Sequence, residues 1–166
     1  MAEPARSGRR DCVSRQTKRC IKFGSFVLLT LYIAVLIYVC FFSEDYGRDV
    51  ITSYYRYNLI PFKEIRRFYI YRDVVGIRAF LANLFGNVLA FMPYGFFMPI
   101  LRPKIRRLNR MFLAAFLLSL TIEITQLLTW VGSFDVDDLI LNTSGGILGY
   151  LLFYIINKVR RKWNGA

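Results

Sequence analysis

The sequence predicts an all-α integral membrane protein, a bundle of four transmembrane helices, and three observations carry that prediction. Apolar residues make up 55% of the chain and gather in unbroken runs rather than in the half-buried alternation of a soluble fold. Each run approaches the ~20 residues that cross a hydrocarbon core about 30 Å thick. The excess of 23 Lys and Arg over 11 Asp and Glu collects in short clusters beside the runs, where it acts as a topology signal.

The first run, residues 23–42, follows Arg6, Arg9, Arg10, Arg15, Lys18, Arg19 and Lys22 and precedes Glu44 and Asp45. By the positive-inside rule the N-terminus is then cytoplasmic. The run is longer than the apolar part of a secretory signal and ends in Val39, Cys40, Phe41 and Phe42 rather than small residues, so it reads as an uncleaved anchor. Residues 1–22 ahead of it form a polar, basic tail that is expected to be disordered. The second run, 79–101, leads into Arg102, Lys104, Arg106, Arg107 and Arg110; the third is 111–131. The fourth, 139–157, is followed by Lys158, Arg160, Arg161 and Lys162. Every strongly basic cluster thus falls on one side, which puts both termini in the cytoplasm and residues 23–162 in a multi-pass domain of the cytoplasmic membrane.

Residues 43–78 form a long outer segment between the first two spans, rich in Tyr and Arg. Pro61 can serve as a first helical residue, after which Phe62, Ile65 and Phe68 or Tyr69 recur at helical spacing, with Lys63, Glu64, Arg66 and Arg67 on the other side. This predicts a short interfacial helix. Arg66 and Arg67 either anchor the segment on lipid phosphates or clamp the anionic headgroup of a ligand.

Composition also excludes functions. The chain has no histidine, which removes the commonest general base, the usual zinc ligand and the Ser-His and Cys-His nucleophile pairs. Cys12, Cys20 and Cys40 offer no CxxC pair and no disulfide framework. The aromatic residues lie mostly inside the apolar runs, not interleaved with the charges, so nucleic acid is not a partner; the lipid bilayer is.

Ionisable groups inside a span cost roughly 2.5–3.5 kcal/mol near its centre and need a partner or a polar cavity. Ser119, Glu123 and Gln126 share one face of the third helix; Asn83 and Asn87 stand four apart on the second; Asp138 and Asn142 stand four apart on the fourth, where Gly145, Gly146 and Gly149 continue the stripe. Asp135, Asp137 and Asp138 occupy the short turn between the third and fourth helices. With the N-terminus inside, these groups line the outer half of the bilayer, and an outward-facing polar cavity follows. The candidate catalytic residues are Glu123, Asp135 and Asp138, and the candidate binding residues are Asn87, Gln126, Asn142, Arg66 and Arg67. Acidic oxygens with amides nearby would suit a hard divalent cation such as Mg²⁺ or Ca²⁺, without defining a ligand set. Alternatively, Glu123 is kept protonated by burial and serves as a proton relay or general acid. The plainer reading makes Asn83, Asn87, Gln126 and Asn142 interhelical hydrogen-bonding glue, and the GxxxG spacing of Gly145 and Gly149 a face for a homo-oligomer.

Three blocks carry a family resemblance: Asn58 to Phe62 (NLIPF), Asn83 to Phe96 (NLFGNVLAFMPYGF) and Glu123 to Tyr150 (EITQLLTWVGSFDVDDLILNTSGGILGY). In these the chain resembles the VanZ-like membrane proteins of bacteria, a family named for a teicoplanin-resistance protein. The family's recurrent residues fall at Asn87, Pro93, Gly95, Glu123, Gln126, Asp135, Asp138, Asn142 and Gly146. The resemblance implies work at the cell envelope, with low-level resistance to teicoplanin-type glycopeptides as the family's best-known activity; the outward-facing cavity with Arg66 and Arg67 suggests a lipid-linked or cell-wall component as the partner. The resemblance brings no molecular mechanism, and whether the chain is an enzyme stays open. A membrane scaffold or accessory subunit and a small ion-coupled transporter are the alternatives.

Overall fold

A computed structural model describes residues 6–42, 57–71 and 76–163, with only the backbone of residues 6–14 and 79. The all-α expectation holds. The elements are α1 (Arg6–Phe42), the two-residue strand β1 (Tyr57–Asn58), α2 (Lys63–Ile70), α3 (Ile77–Leu101), a 3₁₀ turn (Pro103–Ile105), α4 (Leu108–Leu128), β2 (Phe134–Asp135) and α5 (Val136–Trp163). Four helical stretches are long and apolar enough to cross a membrane: Arg15–Phe42, Phe80–Leu101, Leu108–Leu128 and Val136–Trp163. Their outward side chains, such as Leu31, Val35, Phe85, Leu89, Leu117 and Ile155, are exposed large hydrophobics that meet lipid rather than water.

Several boundaries differ from those expected, three of them for a local reason. Helix α1 begins at Arg6, inside the segment expected to be disordered. Arg, Lys and Gln are good helix formers, and extending an existing helix adds one hydrogen bond per residue fixed without a new nucleus. At the other end of the bundle α4 stops at Leu128, because Trp130 takes the left-handed conformation (φ 59°) and the Val131 and Gly132 amides turn back to the Gln126 carbonyl at 3.2 and 3.3 Å. Helix α5 begins earlier, at Val136, because Asp135 caps it by accepting the Asp137 amide at 2.8 Å.

The spans alternate in direction, so Phe42, Ile77, Leu128 and Val136 fall at one end of the bundle together with α2, whereas the Arg102–Arg110 loop and the Lys158–Lys162 cluster fall at the other. We call these the acidic and basic ends. Helix α5 is the most buried span and packs on both α3 and α4. Its approach to α3 is close because side chains are missing. A Cβ on Gly145 would overlap the Val88 carbonyl, one on Gly149 the Met92 carbonyl, and one on Gly95 the Gly146 carbonyl. The Gly145 and Gly149 face, expected to meet a second copy, is packed against α3 of the same chain.

Pro93 sits inside α3 and denies the Leu89 carbonyl its helical donor. One residue on, the Ala90 carbonyl accepts a hydrogen bond from the Tyr32 hydroxyl, tying α1 to α3. Towards the basic end Met111, Ala115, Tyr150 and Phe153 form the apolar core. The basic loop folds back onto this core. Tyr150 donates to the Arg106 carbonyl (3.0 Å), Arg106 Nε donates to the Pro99 carbonyl (2.9 Å), and the Arg106 guanidinium lies 5.6 Å from the Phe153 ring centre.

Candidate functional site at the acidic end

The acidic end is built around a contact between segments about 75 residues apart. Strand β1 pairs in parallel with β2, placing Tyr57 opposite Phe134 and Asn58 opposite Asp135. Asn58 then works in both directions. Its Nδ2 donates to Asp135 Oδ1 (3.1 Å), and its Oδ1 accepts the Ile60 amide (3.2 Å), turning the chain toward α2.

Asp137 completes the junction. This carboxylate is 1% exposed and accepts three amides from the start of α2: Phe62 on Oδ1, and Glu64 (2.8 Å) and Ile65 (3.1 Å) on Oδ2. A helix leaves its first amides without intrahelical partners, and a negative charge there also meets the positive end of the helix dipole. No side chain of α2's own N-cap, Phe62, performs that task; Phe62 instead adopts a left-handed φ of 64°. The cap is supplied in trans by the first turn of a transmembrane helix. Glu123 supports it from α4, its Oε2 accepting the Asp135 amide at 3.0 Å while the residue is 3% exposed.

The structure brings Glu123, Asp135 and Asp137 into one hydrogen-bonded chain with Asn58. Asp138 lies on the next position of α5 and accepts from Asn87 Nδ2 at 2.5 Å, joining α5 to α3. The other predicted residues are placed elsewhere. Gln126 donates to the Cys40 carbonyl of α1 (3.1 Å), and Asn142 donates to Ser119 Oγ (3.0 Å) deeper between α4 and α5. Both act as interhelical links. Arg66 and Arg67 lie exposed on α2, where Arg67 pairs with Glu64 at 2.7 Å and stands 5.4 Å from the Phe68 ring centre. Ile65 and Phe68 are half-buried as the helical spacing required, but Phe62 and Tyr69 are exposed and Glu64 turns to the half-buried side.

Burial pushes the Asp135 carboxyl above the ordinary carboxylate range. The Asp137 amide, the Asn58 side chain and the Arg67 guanidinium pull the other way, and the neighbouring Asp137 carboxylate adds to the rise. Among the described residues no three carboxylate or thiol groups stand together so as to hold a metal ion. Asp135 Oδ1 and both oxygens of Asp137 are engaged by N–H donors, an arrangement suited to positioning chain segments rather than caging a cation.

Sequence reasoning missed Asn58 and Asp137 as site residues. The available signal was a helix start at Pro61 with no capping side chain of its own, beside three aspartates in a turn where one cap would suffice.

The chain is 32% identical over 133 residues to Protein VanZ of Enterococcus faecium, an alignment covering 79% of this chain and 74% of that protein. No solved structure matches it. A family profile described as VanZ/LLP1 matches residues 29–157, a stretch that contains both sides of the acidic-end junction. The protein is a multi-pass membrane protein that belongs to the VanZ/LLP1 family.

Proposed function

We propose that this protein lowers the susceptibility of its cell to teicoplanin-type glycopeptides by acting on an envelope component at the outer face of the cytoplasmic membrane. Family membership supports the envelope role. The positive-inside rule supports the side, since it assigns the basic end to the cytoplasm and the acidic end to the outside. The observation that carries the reading is the junction itself, in which Glu123, Asp135 and Asp137 hold the α2 segment on the outer end of the bundle. In this reading Glu123, Asp135 and Asp138 supply the functional charge of an outward-facing polar site, Arg66 and Arg67 face the ligand, and Asn87, Gln126 and Asn142 fix the helix spacing.

One observation favours a second reading, that of a non-enzymatic accessory or scaffold protein: the carboxylate oxygens serve mainly as acceptors for backbone amides. An ion-coupled transporter would need an assembly face other than the glycine seam, which is occupied within the chain. The test is teicoplanin susceptibility of a sensitive Gram-positive host expressing wild type, Glu123→Gln or Asp138→Asn, with membrane levels matched by immunoblot. Protection by wild type that either substitution abolishes is the expected result. A wild type that gives no protection overturns the glycopeptide reading, and protection retained by both variants leaves the scaffold reading in its place.

A further inference from the structure

We propose that α2 carries a binding site for the phosphate headgroup of an anionic membrane lipid, an inference that rests on the envelope reading above and names its ligand class. An open pocket of about 500 Å³ lies on α2, within the size range of small-molecule sites. Lys63, Arg66 and Arg67 contribute three cationic groups to its lining, and Phe62, Ile70 and Tyr71 contribute apolar and aromatic surface.

The sequence spacing explains the arrangement. Lys63, Arg66, Arg67 and Ile70 stand at i, i+3, i+4 and i+7, so they form one stripe on the helix face turned away from the half-buried Ile65 and Phe68. Glu64 balances only part of this charge through Arg67, and among the described residues Lys63 and Arg66 form no ion pair. A free anion would need the cations alone. Phe62, Ile70 and Tyr71, each more than half exposed beside them, would gain from an occupant that also brings glycerol and acyl carbons.

Position points to the same occupant. Helix α4 has 21 residues, about 32 Å of rise, so its end at Leu128 and the adjoining start of α5 fall at the boundary of the hydrocarbon core. The contacts of Asp137 and the Asn58–Asp135 bridge hold α2 at that level, where lipid headgroups lie. Guanidinium forks match the paired oxygens of a phosphate, and an ammonium adds a point charge.

The experiment uses the full-length protein in zwitterionic nanodiscs, with native mass spectrometry counting retained phosphatidic acid against phosphatidylcholine and with inorganic phosphate as competitor. Wild type is expected to retain phosphatidic acid preferentially. The variant Lys63→Gln/Arg66→Gln/Arg67→Gln, whose changes are all on exposed positions, should lose that preference by about tenfold or more. Equal retention by the variant, or no preference in wild type, overturns the proposal. Displacement by inorganic phosphate at the concentration of the lipid overturns the lipid as the source. Because binding is read in vitro, failure here is separable from failure to protect cells against teicoplanin.

Discussion

Replacing Asp137 by alanine tests whether one carboxylate on a transmembrane helix holds the interfacial helix in place. The substitution removes the acceptor of three amides, those of Phe62, Glu64 and Ile65. At about 1 kcal/mol net per hydrogen bond, the loss is about 3 kcal/mol. The left-handed Phe62, a conformation that costs a non-glycine residue about 1–3 kcal/mol, loses its support as well. With eight residues α2 is far below the ~12–15 at which an isolated helix becomes even marginal, so it should come off the bundle and unwind. The four spans should remain, because α3, α4 and α5 meet through packing that Asp137 does not touch. Hydrogen exchange of the protein in nanodiscs is the assay. Amides of residues 64–70 are expected to exchange about a hundredfold faster in Asp137→Ala than in wild type, since each 1.4 kcal/mol is worth tenfold. Asp137→Asn, which keeps one acceptor oxygen, should fall between. Unchanged protection of α2 in Asp137→Ala would refute the trans-cap argument, and loss of protection throughout the spans would show that the junction supports the whole bundle.

Further predictions concern the seam, the pH response and an orphaned hydroxyl. Gly149→Ala places a methyl group against the Met92 carbonyl, a rigid backbone atom, and should lower stability by about 1–3 kcal/mol in denaturant or thermal melts; Gly132→Ala, where the nearest atom is Gln126 Cβ at 3.4 Å, serves as the tolerated control. Asp135 binds its proton more tightly in the folded state than its unfolded value of about 3.9 implies. Its contribution is therefore present below that unfolded value and is lost as pH rises through the raised folded one; melts across this window should show the slope, and Asp135→Asn should flatten it. Thr143 is 5% exposed and its hydroxyl has no partner among the described residues, so Thr143→Val should leave the melting temperature unchanged or raise it.

The spans were legible because a hydrocarbon core of fixed thickness leaves a length signature that needs no knowledge of tertiary contacts. The polar stripes were legible for a related reason: a costly group inside a span has to face another helix, and Ser119, Glu123 and Asn142 are indeed buried between helices. What the stripes do not reveal is the partner. Glu123 serves a backbone amide of β2, Gln126 a carbonyl of α1 and Asn87 a carboxylate of α5, choices made by packing rather than by residue type. The same holds for Gly145 and Gly149, whose spacing specifies close approach but not whether the approaching helix belongs to the same chain. Asp137 was the least legible, since a cap for α2 is ordinarily sought within α2's own first turn and not some 75 residues downstream. The side of the membrane that the polar groups face is read from the charge rule, which depends on the basic loops and not on the polar groups themselves.

The glycine seam has a mechanical consequence. Where Gly145 and Gly149 rest on the Val88 and Met92 carbonyls, no side chain intervenes that could change rotamer and take up a shift. Sliding α5 along α3 would drive backbone into backbone, so the two helices behave as one rigid beam. Helix α2 is fastened to the end of that beam mainly by hydrogen bonds, which can open one by one. Motion in this protein should therefore concentrate at α2, with the membrane-spanning beam as the fixed frame against which it moves.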